Sequence, residues 1–133
     1  MDARIRGALE TERTIDITTT GRTTGRPHRI EIWFHNLAGR LYLTGTPGTR
    51  GWYANLLAHP GFTFHLKGAV RADLPARATA VVEPAERRAV LSRLLERLGR
   101  AAEVEAWIRD SPLVEVEILE TAPQTETRQT PRR

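Results

Sequence analysis

The sequence predicts an α+β fold, in which an antiparallel sheet of six strands closes into a small barrel with flanking helices. Six short runs alternate apolar and polar residues, as half-buried strands do. Short turns join neighbouring runs, which favours antiparallel pairing. Two other runs place apolar residues at helical spacing. Six strands with one buried face remove their exposed edges when the sheet closes, so a barrel is the expected arrangement.

The elements follow along the chain as three strands, a helix, two strands, a helix and a last strand, after a short helix or arm at residues 3–12. Pro60 and Gly61 end the first main helix, whereas Pro84 begins the second and Gly99 ends it. Residues 70–82 form either two strand segments around Pro75 or one long strand with a bulge there. The predicted strands are 14–20, 30–35, 41–44, 62–67, 70–82 and 113–119, and the predicted helices are 52–59 and 85–98, with further helical turns at 104–108.

The length of 133 residues and the distribution of apolar residues predict one domain, residues 1–120. Residues 121–133 (TAPQTETRQTPRR) contain little that could be buried, so we expect a disordered tail there.

Composition excludes several classes of function. The chain has no cysteine, which removes disulfides, thiolate catalysis and cysteine-based metal sites. No apolar run reaches the roughly 20 residues that span a bilayer, so we expect no integral membrane segment and a cytoplasmic location. The net charge is +4, but the basic residues are spread among acidic ones, and nineteen of the twenty are arginine. We therefore expect a small-molecule substrate rather than a nucleic acid.

The densest group of anion-binding residues lies between the first two strands, in the segment TTTGRTTGRPHR. It contains Arg22, Arg26 and Arg29 among several threonine hydroxyls. Glycines allow backbone N–H groups to approach a ligand closely, and guanidinium groups bind phosphate or carboxylate through two hydrogen bonds. This hairpin turn is the first candidate binding site.

The segment TGTPGTRGWYANL is the second candidate, because a glycine-rich approach there opens a helix at Trp52. Free N–H groups at a helix N-terminus bind anions, and an aromatic side chain offers a flat wall for a planar ring. Trp33, on the polar face of its strand, is a possible second wall.

Self-sufficient catalytic machinery is missing from the sequence. The histidines show no metal-binding spacing, the serines lie outside any nucleophile elbow, and there is no P-loop. We expect no metal site, and we expect strand histidines to be structural. Any enzyme activity would then depend on a bound cofactor, which the protein orients.

The pairing of TTTGRTTGRPH with WYANLLAHP resembles the deazaflavin (coenzyme F420)-dependent nitroreductase family, a branch of the flavin/deazaflavin oxidoreductases with a split β-barrel fold. The resemblance covers residues 14–68 well and residues 70–119 in their order of elements. It implies hydride transfer from reduced F420 to a small electron-poor acceptor, namely a quinone, a nitroaromatic or an activated alkene.

The resemblance also implies which residues bind the cofactor. The phosphate and acidic tail of the cofactor would contact the turn, and the deazaflavin ring would lie against the segment before the helix, with Asn55 anchoring the corner and Trp33 near the ring. The implied residues are Arg22, Thr23, Thr24, Gly25 and Arg26 in the turn, and Trp33, Thr44, Gly45, Thr46, Gly48, Arg50, Trp52 and Asn55 around the ring.

Several alternatives stay open at this stage. The chain is either an F420-dependent reductase, an FMN-binding relative on the same barrel, or a non-catalytic protein that binds a cofactor or small ligand. Tyr53, Tyr42 or a water molecule could supply the proton, and no catalytic residue is assigned. The protein is a monomer or a homodimer.

Overall fold

The computed structural model describes residues 1–119, and the predicted tail at 121–133 lies outside the described residues. Four α-helices occur in this part of the chain. They are α1 (Ala3–Thr11), α2 (Gly51–Ala58), α3 (Pro84–Leu98) and α4 (Val104–Asp110), with a short 3-10 turn at Ala101–Glu103 before α4.

Six antiparallel strands form a closed barrel in the order β1-β2-β3-β6-β5-β4. This arrangement confirms the predicted fold class. The strands are β1 (Thr14–Thr20), β2 (Pro27–Leu37), β3 (Arg40–Thr44), β4 (Gly61–Lys67), β5 (Arg71–Ala80) and β6 (Leu113–Ile118).

The alternation of apolar residues fills the barrel from inside. Ile15 and Ile17 of β1 are fully buried, whereas the residues between them face outward. Phe34 and Phe64 meet edge to face inside the barrel, with ring centroids 5.2 Å apart. A second apolar cluster lies outside the barrel, where the leucines of α3 pack against Trp107 of α4 and Leu113 of β6. The helices α3 and α4 therefore cover one side of the sheet.

Helix α3 has the ends that its sequence predicts. The side chain of Glu83 accepts hydrogen bonds from the N–H groups of Ala85 and Glu86, and Pro84 is the first helical residue. Gly99 ends the helix with a φ of 72°, a left-handed conformation that glycine adopts without strain.

Strand β5 is continuous through Pro75, so residues 70–82 contain one long strand, as in the second predicted form, but the bulge predicted at the proline is wrong. Its register with β4 runs unbroken, and Pro75 lies opposite Thr63. The carbonyl of Pro75 accepts a hydrogen bond from the N–H of Leu119 at 2.9 Å. The N–H and C=O of a strand residue point to the same side, so the position of the missing proline N–H faces Leu119 rather than β4. The ladder with β6 begins only at Ala76, paired with Ile118, so the proline needs no bulge.

Strand β2 is long enough to have two partners in succession. Residues 27–33 pair with β1, and residues 34–37 pair with β3. Strand β3 ends at Thr44 beside this change of partner, so residues 27–33 of β2 extend past β3 and pair with β1, which pairs with β4 on its other side. Helix α2 packs against β1 and β5 at this end of the barrel. The hairpin of β1 and β2, α2 and the segment after β3 form the surroundings of the candidate site.

Candidate functional site

The turn between β1 and β2 is closed by its own backbone. The N–H of Gly21 donates to the carbonyl of Arg26 at 2.8 Å, and the N–H of Gly25 donates to the carbonyl of Gly21 at 2.9 Å. Gly25 has a φ of 72°, so the turn uses a left-handed position there. These bonds hold the backbone of residues 21–26 in one shape before any ligand arrives.

Gly21 is required by close packing rather than by its dihedral angles. A Cβ at this position would lie 2.7 Å from Oγ1 of Thr24 and 2.8 Å from Nε2 of His28. The hydroxyl of Thr24 also accepts from the N–H of Arg26 at 3.2 Å. Only glycine leaves room for the Thr24 and His28 side chains to converge beneath the turn.

The turn presents hydrogen-bond donors to solvent. Arg22, Thr23 and Arg26 are exposed. Within residues 1–119, neither guanidinium group of Arg22 and Arg26 has a hydrogen-bond or ion-pair partner, and the same holds for the N–H of Thr23. Arg29, the third arginine of the segment, instead donates to Asp16 at 3.0 Å. Two arginines of the three are therefore available to an anion.

Asn55 joins the two candidate segments to each other. Its side-chain oxygen accepts from the N–H of Arg22 at 3.1 Å, and its side-chain nitrogen donates to Oγ1 of Thr19 at 3.1 Å. Asn55 is only 7% exposed, so both bonds are shielded from water. The predicted anchoring role of Asn55 corresponds in the structure to a link between α2 and the arginine turn.

Hydrogen bonds from Arg50 hold the segment between β3 and α2 in place. The guanidinium group donates to the carbonyl and the hydroxyl of Thr46, at 2.9 and 2.8 Å, and to the carbonyl of Thr49 at 3.0 Å. Gly48 adopts a φ of 136°, and a Cβ there would lie 3.1 Å from the Arg50 guanidinium. Thr44 is fixed as well, because its hydroxyl donates to the carbonyl of Pro112 at 2.5 Å.

A cavity of about 340 Å³ lies beside this segment. Four of the predicted ring contacts line it together. They are Trp33, Thr44, Gly45 and Thr46. The indole of Trp33 is 51% exposed, so its flat face is available to a ligand. Along β2, Trp33 is six residues from Pro27 at the foot of the arginine turn, a distance of about 20 Å. An elongated ligand with a planar head and an anionic tail matches this spacing.

The other predicted contacts lie elsewhere. Gly48 and Arg50 line a separate cavity of about 670 Å³ on another side of the same segment, with Tyr53 among its walls. Trp52 packs against the core inside the barrel, and its ring meets the ring of Tyr53 edge to face, with the ring centroids 6.0 Å apart. Tyr42 is buried in the outer apolar cluster under α3, where burial raises the pKa of its hydroxyl.

Sequence reasoning missed four residues that complete the smaller cavity. These are His35, Leu98, Arg100 and Trp107. The guanidinium of Arg100 lies 5.3 Å from the centre of the Trp107 ring, a cation–π contact that orders this wall. The helical spacing of Leu98 and Trp107 indicated apolar packing, and nothing in the sequence shows that the end of α3 reaches β2.

Two strand histidines have different environments. His65 is buried, with one ring nitrogen 2.7 Å from the Thr18 hydroxyl and the other 2.7 Å from Asp73. These partners fit the structural role predicted for it. His35 is half-buried at the cavity wall, where desolvation and the charges of Arg97 and Arg13 lower its pKa to about 4. In residues 1–119 no cluster of acidic and histidine side chains could hold a metal ion.

Comparisons with known proteins address the family and the fold. The sequence profile of the F420H(2)-dependent quinone reductase family matches residues 1–98. No curated protein matches the chain. None of the helices in residues 1–119 has the length and apolar character needed to cross a membrane.

Solved structures share the barrel. The conserved hypothetical protein Rv2991 from Mycobacterium tuberculosis aligns with a TM-score of 0.72 and 20% identity, covering 90% of this chain and 81% of that protein. The heme storage protein HutZ from Vibrio cholerae aligns with a TM-score of 0.67 and 17% identity, covering 90% of each chain. An F420-H2 dependent reductase (FDR-A) aligns with a TM-score of 0.61 and 22% identity, covering 80% of this chain and 95% of the reductase.

At these identities the structural matches show the fold alone, and they confirm the split barrel. The family match decides the cofactor, and nothing in it supports the FMN alternative. The chain therefore belongs to the F420H(2)-dependent quinone reductase family and is an F420-dependent oxidoreductase.

Proposed function

We propose that this reductase transfers a hydride from reduced F420 to a small electron-poor acceptor, with a quinone as the preferred class. Nitroaromatics and activated alkenes are further acceptors within the same proposal. The observation that carries it is the open cavity beside Trp33 together with the β1–β2 turn and its unpartnered arginines. The turn meets β2 at Pro27, about 20 Å from Trp33 along that strand. The family match supports the quinone class.

The residues of the site fit this cofactor. The guanidinium groups of Arg22 and Arg26 and the N–H of Thr23, which have no partner among the described residues, suit the phosphate and acidic tail. Trp33 and the backbone of Thr44, Gly45 and Thr46 suit one face and the edge of the deazaflavin ring. When bound, reduced F420 supplies the hydride, so the protein needs no nucleophile of its own.

The remaining residues position these contacts. Asn55 keeps the turn in a fixed relation to α2, and Arg50 keeps the segment after β3 from collapsing into the cavity. Leu98 and Trp107 shield one side of the cavity from water. A rigid wall matters because hydride transfer requires a near-attack geometry, and a displacement of about 1 Å can lower the rate about a hundredfold.

The test is to mix purified protein with chemically reduced F420 and follow cofactor oxidation with menadione, a nitroaromatic and an activated alkene in parallel. The expected result is protein-dependent oxidation with the quinone, at a higher kcat/KM than with the other two acceptors. Binding of reduced F420 without turnover of any of the three would reject the reductase proposal in favour of a cofactor carrier. Activity as a nitroreductase, a cytoplasmic location and the choice between monomer and homodimer stay predictions.

A further inference from the structure

A second cavity, of about 510 Å³, adjoins the 340 Å³ cavity. It is formed by the end of α1, the middle of β2 and the last turn of α3. Trp33, His35 and Leu98 line this cavity and the 340 Å³ cavity as well. The two cavities therefore meet along a shared wall, and only the smaller one contains the predicted ring contacts Thr44, Gly45 and Thr46.

Two arginines and two glutamates line the second cavity, and it is the arginines that act on His35. Arg97 is held in place because its guanidinium donates to the carbonyl of Asn36 at 2.8 Å. The side chain of Arg13 has no partner among residues 1–119. Glu10 and Glu12 also line the cavity, but the Glu12 carboxylate lies against Gly68, within 2.6 Å of where a Cβ there would be. The charges that act on His35, in the middle of the wall, are those of Arg97 and Arg13.

His35 is suited to donate a hydrogen bond without carrying a charge. With a pKa of about 4 the imidazole is neutral at pH 7, so one ring nitrogen bears a hydrogen and the other does not. Neither nitrogen has a hydrogen-bond partner in the described part of the chain. A neutral imidazole can polarise a carbonyl group, and flanking cations stabilise negative charge that develops on its oxygen.

We propose that this second cavity is the acceptor subsite of the reductase and takes a quinone-type carbonyl, whose oxygen faces His35 between Arg13 and Arg97. The proposal rests on the proposed function. A C–H bond of the reduced cofactor breaks, and that hydrogen passes with its electron pair to the quinone. The quinone is reduced by two electrons and takes one proton from solvent, while the oxidised cofactor returns one proton, so the exchange balances as quinone to hydroquinone.

The experiment compares Arg13→Gln, Arg97→Gln and His35→Gln with the wild type, using menadione and reduced F420. Arg93→Gln is the matched control, because Arg93 is an exposed arginine on α3 that does not line the cavity. We expect kcat/KM for menadione to fall about tenfold in each test variant, since each removes one group that stabilises developing charge. The Kd for F420 should stay within twofold of the wild type in the two arginine variants, because neither arginine lines the 340 Å³ cavity, and Arg93→Gln should match the wild type in both measurements.

Two further variants separate charge from structure. Arg97→Lys keeps the positive charge and should recover most of the activity that Arg97→Gln loses, and thermal unfolding identifies any variant that fails to fold. If the wild type reduces menadione and the three test variants are as active as Arg93→Gln, the subsite is overturned and the proposed function stands. A loss of F420 affinity in Arg13→Gln and Arg97→Gln that equals their loss in kcat/KM would assign the second cavity to the cofactor instead. Absence of quinone turnover in the wild type would overturn the proposed function and the subsite with it.

Discussion

Replacing both Arg22 and Arg26 with glutamine is expected to weaken F420 binding about a hundredfold. Both side chains are exposed and have no partner within residues 1–119, so their removal breaks no contact of the folded protein. The backbone bonds that close the turn involve main-chain atoms and the Thr24 hydroxyl, and these remain in the double variant. The substitution therefore tests binding with little effect on folding.

The magnitude follows from the number of contacts that are lost. A hydrogen bond to a charged group contributes about 1.5–3 kcal/mol, and the lower end applies here because solvent screens the exposed turn. Two such contacts amount to about 3 kcal/mol, which corresponds to a factor of about 100 in Kd, since about 1.4 kcal/mol is tenfold.

Equilibrium titration of F420, followed by its fluorescence, measures the effect. A double variant of Arg77 and Arg93 to glutamine is the control, because it removes the same two charges from exposed positions outside the turn. Raising the salt concentration should weaken binding to the wild type more than to the Arg22 and Arg26 variant. Equal affinity of the wild type and the test variant would remove the turn from the cofactor site.

Three further changes probe the scaffold. Gly21→Ala should lower the free energy of unfolding by about 1 kcal/mol in a urea titration, because its Cβ forces the ends of the exposed Thr24 and His28 side chains to move, whereas Gly61→Ala, which meets no atom within 4 Å, should have little effect. Asn55→Ala should cost about 2–3 kcal/mol in the same assay and weaken F420 binding, since it breaks the bond from α2 to Arg22 of the turn and the bond from α2 to Thr19 of β1. His35 resists protonation in the folded state, so its contribution to stability is complete above pH 6.5 and is lost as the pH falls towards 4. His35→Gln should flatten that part of the stability profile, by about 2 kcal/mol for a partly solvated group, and an unchanged profile would show that His35 is not the titrating residue.

The elements of the fold could be predicted because local patterns specify them. Alternation placed Ile15 and Ile17 inside the barrel, and capping residues fixed both ends of α3. The continuity of β5 could not be predicted in the same way. Whether Pro75 breaks a strand depends on which edge its missing N–H faces, and the pairing with β6 decides that point.

The site was predictable where it is local in sequence and not where distant elements meet. The turn at residues 21–26 carries its own glycines and arginines, so its donors can be recognised without a structure. The bond from Arg22 to Asn55 joins residues 33 positions apart, and only the packing of α2 on β1 brings them together. His35 resembles any strand histidine until α3 places Arg97 beside it.

Hydrogen–deuterium exchange with and without F420 tests the central claim most directly, namely that the cofactor spans the arginine turn and the segment after β3. The account predicts slower exchange of amides in residues 22–26 and 44–50 when F420 is bound. It predicts no change in residues 67–71, the turn between β4 and β5, which lies outside both the arginine turn and the 340 Å³ cavity. Saturating F420 that leaves the exchange of residues 22–26 and 44–50 unchanged would contradict the account.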